Sequence, residues 1–73
     1  MDKHGYDCVQ LGCNIRTHRL AQGLTQAALA QRVGCSPQTI CKLERGLCGI
    51  SVELLFQLCS ALRCSASVLA KGL

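Results

Sequence analysis

Gln38, Lys42 and Arg45 recur at helical spacing, with Thr39 and Cys41 between them, in a stretch whose apolar members are Ile40 and Leu43. Turning about 100° per residue with Ile40 and Leu43 inward places Gln38, Lys42 and Arg45 on the far side, flanked by Thr39 and Cys41. This face holds an amide that donates and accepts, a hydroxyl beside a methyl, and two cations, with no carboxylate. Its chemistry is recognition by hydrogen bonds and positive charge.

The elements that must position these side chains run from Thr25 to Arg45 and read as two short helices joined by a glycine turn. Leu29, Val33, Cys35, Ile40 and Leu43 supply the apolar positions, and Ala30 stands where a larger side chain would push the helices apart. Gly34 follows Val33 where the chain needs a left-handed residue to reverse. Ser36 offers an N-cap oxygen, and Pro37 takes the first helical position, where its missing amide hydrogen costs nothing.

These residues resemble the phage-repressor and Cro type of helix-turn-helix, the XRE family. The likeness runs from Leu11 to Leu69: Ile15, Arg16 and Arg19, then Leu24-Thr25-Gln26, Leu29-Ala30, Gly34, Ser36, Ile40, Leu43-Glu44-Arg45-Gly46, Ala61-Leu62, Ser65 and Leu69. It implies an all-α, compact five-helix, lambda-repressor-like DNA-binding domain whose second and third helices form the helix-turn-helix. Residues 1–8 carry charges and a glycine with no apolar period and read as a flexible tail, leaving 9–73 as the domain. A first helix is predicted from Val9 or Leu11 to Gln22 with Leu11, Ile15 and Leu20 toward the core, a second after Thr25 to Val33, and a third from Pro37 to about Arg45. A fourth follows Ser51 to Leu62, and a fifth runs from Ser65 to the carboxyl terminus. There is no alternating strand pattern and no repeat.

In such a module the third helix enters the major groove of double-stranded DNA. Gln38 would pair with an adenine edge, Lys42 would donate to guanine O6 and N7, and the Thr39 methyl would meet thymine. By resemblance, Gln26 at the first turn of the second helix bonds a phosphate, with Ser36, Arg45 and Arg16 adding backbone contacts that hold register without reading bases. Arg32 and Arg63 read as ordinary solvated charges. The resemblance also implies an ion pair between Arg19 and Glu44 that locks the reading helix to the scaffold. The fourth helix carries more apolar residues than one stripe can hold, which leaves over Leu54 and Phe56. With Ala66 these are assigned to the contact of a homodimer, since related repressors bind as two-fold dimers near the fifth helix. The expected function is that of a sequence-specific transcriptional regulator, a repressor on a near-palindromic operator.

Composition agrees with that reading. Eight Lys and Arg against four Asp and Glu give a formal charge of +4 over 73 residues, which suits a polyanion. No apolar run reaches the roughly 18 residues of a membrane span, and the amino terminus lacks a signal-peptide core, so a cytoplasmic protein with no membrane partner is expected. Seven cysteines, at 8, 13, 35, 41, 48, 59 and 64, are the departure from the family pattern. An odd count without Cys-x-x-Cys disfavours a secreted disulfide framework, and neither His4 nor His18 completes a zinc set, so no metal or cofactor is expected. Cys35, Cys59 and Cys64 fit small apolar core positions. Cys41, beside the reading face, and Cys48, in the following loop, are the candidates for a redox or soft-metal response. Nothing resembles a nucleophile elbow, a phosphate-binding glycine loop or a metalloprotease motif, so no enzyme is expected. The alternative is an antitoxin-like interaction module with a toxin or other protein partner. The loop Gly46 to Ile50 lacks the cations that many relatives place on phosphate.

Overall fold

The computed structural model describes residues 6–73. Five helices follow in order, α1 (Cys8–Ala21), α2 (Gln26–Val33), α3 (Pro37–Glu44), α4 (Val52–Leu62) and α5 (Ala66–Leu69). Each begins in the same way. Asp7, Thr25, Ser36, Ser51 and Ser65 hold extended backbone, and their side chains accept from the amides of Gln10, Ala28, Thr39, Leu54 and Val68. Five short helices are thus started by local chemistry, each cap contributing about 1 kcal/mol.

Leu11 and Ile15 of α1, Leu29, Ala30 and Val33 of α2, Ile40 and Leu43 of α3, Leu58, Cys59 and Leu62 of α4, and Leu69 of α5 close one core. Gly34 ends α2 at φ 73°, a conformation that costs a residue with a side chain, and the Cys35 amide then donates to the Ala30 carbonyl. That single left-handed residue turns the chain from α2 into α3. Arg63 does the same at the end of α4 without being a glycine, at φ 56° and ψ 44°.

Three sequence expectations are corrected. Leu20 faces solvent at 55% exposure, because the buried stripe of α1 continues from Leu11 and Ile15 to Arg19, and Leu20 lies about 100° away from it. The fifth helix stops at Leu69 and does not reach the carboxyl terminus. Its end is held by Asn14 of α1, whose Nδ2 donates to the carbonyls of Leu69 and Lys71, both at 2.8 Å. Gln10 in turn donates to Asn14 Oδ1 at 2.9 Å. The expected tail, residues 1–8, falls mostly outside the described residues, and its last three belong to the packed domain. Asp7 caps α1, Cys8 is buried, and the Tyr6 hydroxyl accepts from the Ile50 amide at 2.8 Å.

Helix α1 meets the carboxyl end of α3 at Gly12. A methyl group there would stand 2.3 Å from the Leu43 carbonyl oxygen and 2.7 Å from that of Glu44. In an open helix, Gly to Ala gains up to about 1 kcal/mol. Here the obstacle is backbone, which cannot step aside, so Gly12→Ala should lower the free energy of unfolding by about 2–3 kcal/mol in urea titration. A neutral or stabilised variant would show that α1 and α3 do not need this close approach.

Candidate nucleic-acid interface

Helix α3 is gripped on its inner side and open on the other. Ile40 and Leu43 are fully buried, whereas Gln38, Lys42 and Arg45 are exposed and Thr39 and Cys41 half-buried. The polar residues therefore share the outward side of one two-turn element. The Ser36 hydroxyl accepts from the Thr39 amide at 3.2 Å and lies 3.0 Å from the Thr39 hydroxyl. That contact uses one of the two hydroxyl protons and leaves the other proton and the Thr39 methyl for new partners.

The carboxyl end of α3 is fixed by charge. Arg19 Nε donates to Glu44 Oε2 at 2.6 Å and Nη2 to Oε1 at 3.0 Å, with side-chain exposures of 9% and 3%. Nη1 donates to the Leu24 carbonyl at 2.7 Å, where the chain passes from α1 to α2. The hydrogen bond to Glu44 raises the Arg19 pKa above its ordinary value, burial works against it, and the carboxylate charge adds to the rise. The guanidinium stays charged throughout the working range.

Gln26 joins this cluster, which the sequence did not reveal. Its Nε2 donates to Glu44 Oε1 at 3.1 Å, so one amide hydrogen is engaged and the second is left for another acceptor. The side chain is half-buried at the first turn of α2, where backbone amides lack intrahelical partners. Ser36, Arg45 and Arg16 are exposed. Arg16 extends from α1, Ser36 and Arg45 from the two ends of α3. Arg32 is exposed and approaches the Ala61 carbonyl at 3.5 Å.

Of the residues assigned to a dimer contact, Phe56 is 60% exposed, whereas Leu54 and Ala66 are half-buried against the core. Val52, one of the surplus apolar residues of the fourth helix, and Val68 are exposed as well. Cys41 is half-buried, and Cys48 is half-buried against the core; Cys13 of α1 is the exposed thiol. Burial pushes the Cys35 and Cys64 thiols up from the ordinary 9.0, which keeps them protonated. Among the described residues no three His, Cys, Asp or Glu side chains group to hold a metal ion, and no helix is long and apolar enough to cross a membrane.

Two short helices about a left-handed glycine, the second clamped at its end and polar outside, define a helix-turn-helix protein. The chain belongs to the family described as helix-turn-helix domain, whose pattern matches residues 10–71. Over 48 residues it is 48% identical to an uncharacterized HTH-type transcriptional regulator of Methanothermobacter thermautotrophicus, a stretch that is 66% of this chain and 70% of that protein. Among solved structures it is similar to the restriction-modification controller protein C.AhdI of Aeromonas hydrophila. That likeness has 32% identity and a TM-score of 0.83, and covers 86% of this chain and 96% of the other. It is similar also to the P22 c2 repressor in complex with a synthetic operator, at 39% identity and a TM-score of 0.80, covering 85% and 94%. The likeness to phage repressors read from the Leu-Thr-Gln, Leu-Ala and Glu-Arg-Gly elements agrees with these relatives, as does the all-helical, five-helix fold.

The burial of the ion pair has a measurable consequence. Arg19→Met alone and Glu44→Leu alone should each lower stability by about 3–5 kcal/mol, because each strands a buried charge. The double variant should lie much closer to the wild type than the sum of the two losses. Urea unfolding of all four proteins gives the cycle, and single losses below about 1 kcal/mol would place the pair with ordinary surface bridges.

Proposed function

We propose that this protein is a sequence-specific double-stranded DNA-binding transcriptional regulator, a repressor that binds a near-palindromic operator as a homodimer. In this reading α3 lies in the major groove, with Gln38, Thr39 and Lys42 toward base edges. Arg45, Ser36, Gln26 and Arg16 meet phosphates from three different helices and their caps. The observation that carries it is the outward side of α3: exposed Gln38, Lys42 and Arg45 without a carboxylate, on a helix whose other side is fully buried. Similarity to a repressor solved in complex with a synthetic operator supports DNA as the partner.

Each polar group has a role that its surroundings allow. Among the described residues the Gln38 and Lys42 side chains make no hydrogen bond or ion pair with the scaffold and so are available to new partners, whereas the Thr39 hydroxyl is held by Ser36 and Thr39 offers its methyl. Gln26 spends one amide hydrogen on Glu44 and keeps one for phosphate, which couples backbone contact to the clamp on α3. Dimerisation is supported by exposed Phe56 and Val52, one helical turn apart on α4. A two-fold dimer sets two copies of α3 into successive major grooves about one turn of DNA apart. Blocking polymerase is then sufficient for repression.

The base-reading and phosphate roles are separable in solution. Gln38→Ala should relax preference at one or two base positions, with a loss of about 1–3 kcal/mol on the preferred sequence and little on others. Arg45→Ala should weaken all duplexes alike and reduce the salt dependence by about one phosphate contact per protomer. Arg45 is a better probe than Gln26, whose removal would also disturb Glu44. Equal losses on every sequence for Gln38→Ala would remove that residue from the reading set.

A further inference from the structure

Cys59 and Cys64 stand on either side of the left-handed turn that ends α4. The Cys64 amide donates to the Cys59 carbonyl at 3.0 Å, the longest-reaching bond of a helix terminus whose left-handed residue is Arg63. In that geometry the residue three before the end and the one after the turn bring their side chains together. Here both are thiols, five residues apart on either side of the turn that this bond closes. Cys59 is 7% exposed and Cys64 half-buried, so a small reagent can reach the pair from the Cys64 side.

We propose that Cys59 and Cys64 are a dithiol modification site that a low-molecular-weight disulfide closes into an intramolecular disulfide across the end of α4. Cys64, a thiol at rest, first loses its proton to solvent; its thiolate attacks one sulfur of the reagent, the reagent's sulfur–sulfur bond breaks as a Cys64–reagent bond forms, and one reagent thiolate leaves. Cys59 then loses its proton to solvent and attacks the Cys64 sulfur, expelling the second reagent thiolate. Two protein thiols give up two electrons and two protons, and one reagent disulfide becomes two thiols. The product ties the last turn of α4 to the residue that precedes the Ser65 cap of α5, around the strained Arg63. The turn already holds the two residues together across one backbone hydrogen bond, so closure follows the first exchange and a stable mixed disulfide at Cys64 does not accumulate. The other five cysteines lack this arrangement with a neighbour in the chain: Cys13 is exposed and takes up a reagent group without closing a ring.

The test is oxidation of the full chain with glutathione disulfide, followed by alkylation, trypsin and mass spectrometry without reduction. Cleavage after Arg63 separates the two cysteines, so the expected product is the peptide 46–63 joined to 64–71, with fragmentation placing the bond at Cys59 and not Cys48. Thermal unfolding should move up by roughly 5–10 °C relative to the same oxidised sample of Cys64→Val, since a closed six-residue loop restricts the unfolded chain. Val keeps the apolar contact, so that variant folds and lacks only the bond. A bond from Cys64 to any other cysteine would overturn the proposal. So would glutathione retained on Cys64 with Cys59 alkylated, or both thiols unreacted once Cys13 is fully modified.

Discussion

The ion pair between Arg19 and Glu44 is the constraint on which the rest of the structure depends. A carboxylate and a guanidinium withdrawn from water are each unfavourable alone, and they are tolerated here because each guanidinium nitrogen of Arg19 donates a hydrogen bond. Two go to Glu44 and one to the Leu24 carbonyl, which binds the end of α3 to α1 and to the start of α2 in one cluster. Gln26 completes the set from α2. Three helices are thereby fixed at one point, and the close approach of α1 to the α3 carbonyls is possible because Gly12 has no side chain. A hydrophobic contact of equal area would hold the helices together but would set their relative rotation less tightly. For an element proposed to present Gln38 and Lys42 to base edges, rotation is the quantity that matters.

Much of the fold was legible because its determinants are local. Serine or threonine begins α2, α3, α4 and α5, Gly34 turns α2 into α3, and the spacing of Leu29, Val33, Ile40 and Leu43 marks the inward sides, whereas the Asp7 cap of α1 was read as tail. What stayed hidden depends on contacts across the chain. Leu20 is as apolar as Leu11, yet Arg19 takes the buried place because Glu44, distant in sequence, pairs with it there. Asn14 lies between Leu11 and Ile15 on the inner stripe, a polar residue where an apolar one is usual; that was the available sign that it serves the end of α5. The reach of Tyr6 to the Ile50 amide left no such sign. On the candidate interface, exposure of Gln38, Lys42, Arg45, Ser36 and Arg16 follows from helical period, whereas the tie from Gln26 to Glu44 does not, because either could have reached solvent.

The cysteines divide by the same physics. Cys8 and Cys59 are buried and Cys35 and Cys64 half-buried, the last two with pKa raised by burial, and in the reduced protein all four fill space in a chain too short to waste core volume. Cys48 also packs on the core, which draws it away from the solvent-facing role that its place in a loop suggested. Pairing of Cys59 with Cys64 comes from the shape of a helix terminus and needs no Cys-x-x-Cys spacing, so a reading by motif alone passes over it.

If the outward side of α3 reads DNA sequence, as proposed, the protein must prefer some duplexes over others. Selection of bound duplexes from a random pool, with fully reduced protein at fixed near-physiological salt, tests it most directly. The expected outcome is enrichment of an inverted repeat whose half-sites lie about one helical turn apart, roughly 10 base pairs. Recovery of a pool as random as the input, by protein shown to be folded, would contradict it.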